Sequence, residues 1–343
     1  MSKVLFIEYY KQPGHVNFNR IHIDALLRAG AEVRLVMHRK VAEKLPFPKE
    51  MYSLVLPAWL EHKQGHPYYN RLALCLTLLY IKCRVPISSF DRVILSYWEE
   101  TTLGLIPLCR GMYLICHGNA ASFSSWLKSF FMRRLARHNH FVVFNERMAS
   151  PFQERGIRNV HILSHGCMPP FALPEELRVS PFNKSRYDYV VFHPSGNVDG
   201  EFIQSLNDAS FLEFLQRERI LLVLRNKPAG FPACPNIVFK SGFLKTEEYR
   251  QMLLFSDAVL LAYPPDFQYQ VSGVSFECIS NRKNLLVRYT PALAYCRDFY
   301  NYNPFFTTVE ELRELLLAMK SEPERCCVAS ADQLQPDYTG ILS

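Results

Sequence analysis

A chain of 343 residues, of which 49% are hydrophobic, is long enough to form two domains with separate cores. The net charge is +7, with +11 in residues 1–170 and −4 in residues 171–343, so we expect the first half to meet an anionic partner. No apolar run has the roughly 20 residues of a membrane-spanning helix, and the N-terminus does not read as a signal peptide. The ten cysteines show no metal-ligand spacing. These features argue against a membrane-spanning or disulfide-rich secreted protein and predict a cytoplasmic one with reduced thiols.

The first 40 residues are predicted to form a βαβ unit. Residues 4–7 and 33–36 are short apolar runs typical of buried strands. The helix between them has Asn19 as its predicted N-cap. Gly14 lies in the turn after the first strand, where parallel sheets bind ligands. The loop is not G-x-G-x-x-G and therefore no dinucleotide fingerprint, so a phosphate contact and a tight turn without a ligand are both open for Gly14.

Two further segments of the first half have helical periodicity and apolar faces. Residues 60–88 are rich in Leu and Tyr, and we expect mainly core packing there, with a wall for a lipid-like acceptor as the alternative. Residues 125–138 carry Trp126 and Phe130 beside three arginines. The pattern is typical of an amphipathic surface helix, and the alternative is a helix that lies on an anionic membrane. Peripheral attachment to the inner membrane face is therefore a hypothesis.

Strand ends and proline content locate further features. Residues 112–116 are predicted as a strand, and His117 follows directly, where it would face the ligand crevice of a parallel sheet. A lone histidine can equally be structural, so both roles stay open. The proline-rich residues 168–186 predict a linker between an N-terminal domain, residues 1–167, and a C-terminal domain, residues 187–343. A strand at residues 189–192 and a loop with Gly196 are predicted to open the second domain.

Residues 260–287 form the stretch around which the second half is organised, with a predicted order of strand, loop, helix and strand. Ser272, Gly273 and Val274 open the helix. Unpaired N–H groups, the positive end of the helix dipole and a glycine without a side chain suit an anion there. Glu277 lies about one turn further along nearly the same face and can accept two hydroxyl hydrogen bonds, as from a ribose. A turn glycine and a surface glutamate are the plain alternative.

The same stretch resembles the C-terminal signature of GT-B glycosyltransferases of the large retaining family 4, which reads roughly E-G-F-G-x-x-x-x-E-A-x-x-x-G-x-P-V-[IV]. Gly273 matches the second glycine, Glu277 the second glutamate, and KNLLV at residues 283–287 the end. Tyr269 stands at the place of the first glutamate. The resemblance implies an α/β GT-B fold, with two Rossmann-like domains whose parallel sheets face each other across a cleft. It also implies that Glu277 holds the ribose, that Tyr269 lies near the transferred sugar, and that the sugar retains its configuration.

Other stretches resemble the family in the same order along the chain. Gly242 and Phe243 match the backbone that holds the nucleotide base in that family. His117 matches a histidine that faces the donor sugar, and Gly14 lies in the loop near the donor diphosphate. The resemblance therefore makes His117 and Tyr269 the candidate catalytic residues and the glycine-containing loops candidate donor contacts.

One family motif is largely missing. The family binds the diphosphate with Arg and Lys in G-R-x-x-x-x-K-G, after the first strand of the second domain. Pro194 and Asp199 occupy these two places here, although Gly196 in the same loop is still a candidate donor contact. We expect Arg225 or Lys227, at the end of the predicted strand 220–224, to supply the positive charge that a diphosphate requires.

Together with these patterns, the resemblance implies a hexosyltransferase-type glycosyltransferase, which moves a sugar from a nucleotide sugar to a glycan or lipid-linked acceptor, and we expect a role in envelope polysaccharide synthesis. No D-x-D sequence occurs, so we expect neither a metal nor a cofactor besides the donor. The expected partners are the nucleotide sugar, the acceptor and an anionic membrane surface, and not nucleic acid. Two alternatives stay open. A catalytically silent nucleotide-sugar-binding protein is favoured by the missing Arg and Lys, and a nucleotide-sugar epimerase would need acid and base carboxylates.

Overall fold

The computed structural model describes residues 1–10, 15–61, 66–242, 244–322 and 324–343, with Pro67 described by its backbone alone. Gly14 and Phe243, both predicted to contact the donor, lie outside the described residues. The chain forms two compact units. The first comprises Met1–Gly166, Tyr269–Val271 and Leu334–Ser343, and the second comprises Cys167–Gln268 and Ser272–Gln333.

The first unit is built on a seven-stranded parallel sheet with the order β3-β2-β1-β4-β5-β6-β7. Its strands are β1 (Lys3–Glu8), β2 (Glu32–His38), β3 (Tyr52–Leu56), β4 (Arg92–Tyr97), β5 (Tyr113–Ile115), β6 (His140–Val143) and β7 (Val160–Ile162). The central strands are almost wholly buried, as is typical of parallel sheets with covered faces. This burial explains why they read as continuous apolar runs in the sequence.

The helices of the first unit connect these strands. They are α1 (His15–Arg28), α2 (Arg39–Ala42), α3 (Pro67–Arg84), α4 (Glu100–Leu105), α5 (Trp126–Ala136) and α6 (Glu146–Gln153). Since α4 contacts both α3 and α5, these three helices share one layer. No helix in the described part of the chain is both long enough and apolar enough to cross a bilayer.

The second unit contains a six-stranded parallel sheet with the order β10-β9-β8-β11-β12-β13. Its strands are β8 (Tyr189–Phe192), β9 (Ile220–Arg225), β10 (Ile237–Lys240), β11 (Ala258–Leu261), β12 (Asn284–Arg288) and β13 (Phe305–Phe306). The remaining helices are α7 (Gly200–Ser205), α8 (Ala209–Arg217), α9 (Thr246–Phe255), α10 (Gly273–Ser280), α11 (Val309–Ser321) and α12 (Thr339–Leu342), the last of which belongs to the first unit. The predicted α/β class with two parallel Rossmann-like sheets is confirmed.

Local sequence signals set several helix ends. At the end of α1, Gly30 has φ = +81°, its N–H bonds the carbonyl of Leu27, and the next N–H bonds that of Leu26. This is the glycine-terminated helix end that favours residues without a Cβ. Thr308 and Glu311 form a reciprocal capping box at the start of α11. The predicted N-cap role of Asn19 is wrong, because Asn19 is buried inside α1 and its side chain bonds other buried polar groups.

Each sheet has one point where the strand order reverses. In the first unit β1 is flanked by β2 and β4, and in the second β8 is flanked by β9 and β11. The connections leave in opposite directions from these strands, which opens a crevice at the carboxyl ends where such folds bind ligands. The two reversal points therefore position the candidate sites described below.

Three segments depart from the predicted domain ranges. The proline-rich residues predicted as a linker pack within the second unit, where the backbone N–H of Phe171 donates to the side chain of Asn281 at 2.7 Å. Residues Tyr269–Val271 pack against the core of the first unit. The C-terminal residues also return to the first unit, because the buried Tyr338 hydroxyl bonds His22 Nδ1 at 2.7 Å. These contacts join residues far apart in the sequence and leave no local signal.

Candidate functional site

A buried carboxylate lies at the reversal point of the first sheet. Glu8 ends β1 and its side chain is fully buried. Its Oε2 atom lies 3.2 Å from His15 Nδ1, 3.4 Å from Asn19 Nδ2 and 2.9 Å from Ser96 Oγ. Its Oε1 atom has no hydrogen-bond partner among the described residues. Since burial of a carboxylate is costly, three neighbours held around one oxygen indicate a site built for this group.

His15, the first residue of α1, completes a carboxylate–histidine pair with Glu8. A carboxylate accepts hydrogen bonds, so Nδ1 of His15 is the donor and the lone pair of the neutral ring is on Nε2. The side chain of His15 is 17% exposed, whereas that of Glu8 is fully buried. A histidine whose tautomer and orientation are fixed by a buried carboxylate has the arrangement of a general base.

His117 lies beside this pair at the end of β5. Its Nε2 atom lies 2.9 Å from the carbonyl oxygen of Ser96, so Nε2 carries the proton and Nδ1 is free to accept. The rings of His117 and His15 are 4.5 Å apart between centroids. Burial, followed by the charge of His15, holds the pKa of His117 well below its usual value, so the ring is neutral at pH 7. The structure thus places His117 next to the pair rather than alone at the strand end.

A polar cavity of about 460 Å³ lies at the ends of β4 and β5, where Tyr97 and Gly118, the residue after His117, belong to its lining. Tyr10 and Tyr97 form one wall, with ring centroids 4.7 Å apart, and Tyr97 also lies 5.2 Å from the ring of His15. Glu100 on the other side accepts hydrogen bonds from Asn119 Nδ2 at 3.0 Å and Ser122 Oγ at 2.5 Å. Aromatic faces combined with carboxylate, amide and hydroxyl groups suit a polyhydroxylated ligand.

Tyr269, a candidate catalytic residue, packs with the first unit. Its ring lies 4.9 Å from the guanidinium carbon of Arg147 in α6. The neighbouring Gln270 side chain reaches the loop after His117, with Oε1 3.6 Å from the position that a Cβ on Gly118 would take. Tyr269 therefore belongs to the same unit as His117, and its predicted proximity to the transferred sugar stays a prediction.

In the second unit, the predicted anion site at the start of α10 offers fewer unpaired N–H groups than expected. The N–H of Ser272 donates to the Tyr295 hydroxyl at 2.9 Å, and Ser272 Oγ lies 2.7 Å from the Tyr263 hydroxyl. The expectation that the Ser272 N–H is open for a ligand is therefore wrong. Gly273 and Val274 keep first-turn N–H groups without a partner in the described residues, and no atom lies within 4 Å of a Cβ built on Gly273. Backbone and ligand could approach closely at these two residues.

Glu277 lies one turn into α10 and is already partly engaged. The Tyr249 hydroxyl donates a hydrogen bond to Oε2 of Glu277. Burial raises the pKa of Glu277, and the bond from Tyr249 opposes that shift. Of the two carboxylate oxygens, Oε1 is the one that the Tyr249 hydroxyl leaves for a ribose, and that interaction stays a prediction.

The structure separates the two cations predicted to neutralise the diphosphate. Arg225 at the end of β9 is only 8% exposed, and its guanidinium donates to the carbonyls of Pro194, at 3.2 Å, and Gly242. Lys227 is exposed. Gly242 has φ = +69°, a conformation that favours glycine, and its carbonyl is held by Arg225. Arg225 thus places a positive charge beneath two loops at the carboxyl edge of the sheet.

Asp199, one of the two departures from the family motif, and Gly196 in the same loop both have structural roles. Asp199 caps α7 by accepting from the N–H groups of Glu201 and Phe202 at 3.0 and 3.2 Å, and it pairs with Arg288 at the end of β12. Its charge is therefore compensated within the protein. Gly196 accepts a hydrogen bond from Asn226 Nδ2 at 2.8 Å, which holds the loop after β8.

Sequence reasoning missed the pair of Glu8 and His15. The available signal was an acidic residue at the end of an otherwise apolar strand, followed by a histidine at the start of the next helix. It also assigned no role to His193, which is fully buried at the end of β8. Burial above all lowers the pKa of His193 to about 4, with the charge of Arg225 as a further cause. No three His, Cys, Asp or Glu side chains in the described residues are grouped so that they could hold a metal ion.

The sequence matches no protein-family model and no curated protein. Solved structures are similar over nearly the whole chain. A proposed UDP-N-acetylglucosamine 2-epimerase from Listeria monocytogenes has a TM-score of 0.60 at 13% identity, covering 99% of this chain and 93% of its own. Anabaena Alr3699/HepE, in complex with UDP and glucose, has a TM-score of 0.60 at 14% sequence identity, and the match covers 100% of this chain and 95% of that one. OtsA in its apo form has a TM-score of 0.63 at 9% sequence identity, and the match covers 94% of this chain and 92% of that one. At these identities the similarity shows the fold alone, which is of the GT-B type with two parallel-sheet α/β units.

Proposed function

We propose that this protein is a glycosyltransferase that moves a hexose from a nucleotide sugar to a hydroxyl group of a glycan or lipid-linked acceptor. The observation that carries the proposal is the pairing of Glu8 with His15, a fixed base at the reversal point of the first sheet. The polar cavity beside it has the lining that a sugar acceptor needs. Two N–H groups of α10 without a partner in the described residues, and the buried charge of Arg225, support an anion site in the second unit.

The proposed reaction gives each unit its own role. His15 Nε2 accepts the proton of the acceptor hydroxyl as that oxygen bonds the anomeric carbon. The bond between the anomeric carbon and the diphosphate oxygen breaks, and its electron pair leaves with the diphosphate. Glu8 stabilises the charged imidazolium that forms. The N–H groups of Gly273 and Val274, together with the field of Arg225, stabilise the charge that develops on the leaving group. These protein groups are the reason for which we propose a metal-independent transfer.

The stereochemical outcome is open to a direct test. Resemblance to family 4 implies retention, whereas a base that deprotonates the acceptor for direct attack favours inversion of the anomeric carbon. We propose inversion on the strength of the Glu8–His15 pair. The proton NMR coupling constant of the product's anomeric hydrogen, compared with that of the donor, decides between them. Membership of family 4 and a role in envelope polysaccharide synthesis stay predictions.

A screen for the donor tests the function itself. Because the Anabaena neighbour was solved with UDP and glucose, we propose UDP-glucose as the first donor to be tried. Ligands that bind the folded state raise the melting temperature, so thermal shifts with UDP, GDP and their sugars identify the base. Release of free nucleotide that depends on added acceptor then supports transfer. Stabilisation by nucleotides without any turnover would favour the catalytically silent alternative.

An epimerase is a second candidate, favoured by the buried carboxylate and histidines at one strand edge. Glu8, His15 and His117 supply the acid and base groups that the sequence alone did not reveal. An epimerase acts on the nucleotide sugar without an acceptor. Proton NMR of UDP-N-acetylglucosamine incubated with the protein alone would show a new epimer in that case, and an unchanged spectrum beside acceptor-dependent release would contradict it.

We also propose that the first unit attaches reversibly to an anionic membrane surface, at the inner face in the cell. The charge of +11 in residues 1–170 and the exposed Trp126 and Phe130 of α5 support this location. Attachment would bring the enzyme to a lipid-linked acceptor. Sedimentation with anionic vesicles at low and high salt tests it, since screening should release the protein at high salt.

A further inference from the structure

The layer of α3, α4 and α5 has an outer surface that is unusually apolar, which we call the outer face. On α3 the exposed side chains recur at Tyr68, Leu72, Leu76 and Leu79, of which Tyr68 is 85% and Leu72 60% exposed. On α5 Trp126 is 82% and Phe130 56% exposed. The spacing of three and four residues places each set on one stripe, opposite the residues that pack on the sheet. Contiguous exposed apolar side chains of this kind mark an interaction surface.

A cavity of about 650 Å³ adjoins the outer face and is strongly basic. Its cationic lining residues are Lys82, Arg110, Arg133, Arg134 and Arg137. Phe130 lines the same cavity, which makes it continuous with the apolar stripe of α5. No Asp or Glu of the described chain lines this basic cavity.

Several cations elsewhere in the first unit have a carboxylate partner among the described residues, which those of the basic cavity lack. Lys40, Arg71 and Lys128 each lie within 4 Å of a glutamate carboxylate. None of the five cavity cations has an ion pair with a described residue. Lys82, Arg133 and Arg134 lie in last helical turns, where the helix dipole favours positive charge. Arg137 is the C-cap residue of α5, so the dipole favours its charge as well, whereas Arg110 lies beyond the end of α4. All five charges share one space that no described carboxylate lines, which favours an anionic ligand.

The basic cavity is separate from the proposed reaction site. Arg110 precedes β5, and Arg137 precedes β6, so the cavity lies at the amino ends of the strands. Glu8 and His15 lie at the carboxyl ends. Trp126 opens α5 at the carboxyl end of the layer, and the arginines follow about 7 to 11 residues, or roughly 10 to 16 Å, further along the helix. The ligand of the cavity is therefore not the group that reacts.

We infer that the basic cavity binds the phosphate headgroup of an anionic bilayer lipid while the apolar stripes of the outer face lie in the interfacial region of the same bilayer. This inference rests on the membrane attachment proposed above and not on glycosyl transfer. Charge complementarity selects an anionic headgroup, and arginine binds phosphate oxygens through its planar fork. A soluble phosphate would leave the exposed Trp126, Phe130 and leucines without a role, so the lipid is the source that accounts for both features.

The test compares two double variants that remove equal charge. Arg110→Gln with Arg137→Gln removes two of the five cations of the basic cavity. Arg28→Gln with Arg158→Gln removes two exposed arginines elsewhere in the first unit. Binding is measured by flotation with vesicles of phosphatidylcholine alone, with added phosphatidylglycerol, or with added oleate as an anion without phosphate. Each cation near an anionic leaflet contributes about fivefold, so the cavity variant should lose about 25-fold in affinity for phosphatidylglycerol vesicles. The matched variant should lose much less, and oleate vesicles should bind wild type more weakly than phosphatidylglycerol vesicles of equal charge.

Other outcomes overturn the inference. Equal losses in both variants would mean diffuse attraction without a headgroup site. Failure of wild type to float with phosphatidylglycerol vesicles at low salt would exclude the bilayer. A thermal shift with inorganic phosphate that needs Arg110 and Arg137, without flotation, would assign the cavity to a soluble anion. Turnover with a soluble acceptor should be unchanged in both variants, so loss of flotation and loss of the proposed transfer are told apart.

Discussion

The two units place different chemistry at corresponding positions of the same architecture. At the reversal point of the first sheet lie titratable groups, with His15 in contact with both Glu8 and His117. At the reversal point of the second lie open backbone N–H groups of α10 and the buried charge of Arg225. The first arrangement suits proton transfer and the second suits holding an anion. The shared fold sets the position of each candidate site, and the side chains at the strand ends determine its chemistry.

The largest expected effect concerns the base of the first unit. His15→Ala should lower kcat by about 10²–10⁴-fold, because a positioned general base contributes that much. Nucleotide affinity, which we assign to the second unit, should stay unchanged. Turnover assays and calorimetric titration with nucleotide measure the two quantities. His66→Ala, at an exposed histidine, is the control. Loss of nucleotide binding in His15→Ala without a change in kcat would reverse the assignment of the units.

Arg225 tests the anion site of the second unit. Arg225→Ala should weaken binding of a nucleoside diphosphate by about 10–100-fold, since a hydrogen bond or contact to a charged group is worth about 1.5–3 kcal/mol. Binding of the free nucleoside should change little. Lys227→Ala is the control, because Lys227 is exposed. Arg225→Lys separates charge from the hydrogen bonds to Pro194 and Gly242, and equal losses for diphosphate and nucleoside in all variants would point to loop collapse instead.

Glu277 tests the ribose contact within the same unit. Glu277→Ala should weaken nucleotide binding by about 1.5–3 kcal/mol, the range for hydrogen bonds to a charged group. If Oε1 accepts from the ribose, the variant should bind a nucleotide without ribose hydroxyls as well as wild type does. Tyr249→Phe removes the bond to Oε2 and serves as the comparison. An unchanged affinity of Glu277→Ala for the full nucleotide would contradict the assignment.

The histidines of the first unit should make it the more acid-sensitive one. Burial lowers the pKa of His22 to about 3 and that of His165 to about 4. Below the unfolded value near 6.5 the unfolded chain binds more protons, so the free energy of unfolding should fall as the pH drops from about 6.5 towards 4. All three tryptophans, Trp59, Trp98 and Trp126, lie in the first unit, so their fluorescence reports its unfolding.

The control for acid sensitivity is a single substitution. His22→Gln removes one of the depressed groups and should reduce the slope of unfolding free energy against pH by up to one proton, about 1.4 kcal/mol per pH unit. Urea titrations at several pH values, followed by tryptophan fluorescence, give this slope. An unchanged slope would mean that the buried histidines are solvated in the native state.

Most strands could be predicted because burial on both faces leaves a continuous apolar run, as at residues 220–224 and 285–287. The edge strand β3 was missed, since its side chains alternate between partly buried and exposed and its run is short. The outer row of α3 was expected mainly in the core and is exposed instead. When a helix has apolar residues on most of its sides, the sequence does not show which face packs against the sheet, because tertiary packing determines this.

The candidate site was predictable in part. The strand-end position of His117 and the glycine at the start of α10 follow from local patterns. Gly273 follows β11 beside the reversal point of the second sheet, and His117 contacts His15 near that of the first. The partner of Glu8 did not follow from the sequence, and neither did the engagement of Ser272 by Tyr295 or of Asp199 by Arg288. Such contacts join loops that are distant along the chain.

The sequence by itself determined the alternation of strands and helices, hence two parallel sheets, because periodicity and burial are local properties of each segment. It also determined the excess of positive charge in the first half. Only the tertiary structure decided which charges are neutralised, which polar atoms meet, and where residues such as Tyr338 and Tyr269 return to the first unit. The physical reason is that hydrogen bonds and ion pairs depend on distances of a few ångströms between residues that the order of the chain leaves unspecified.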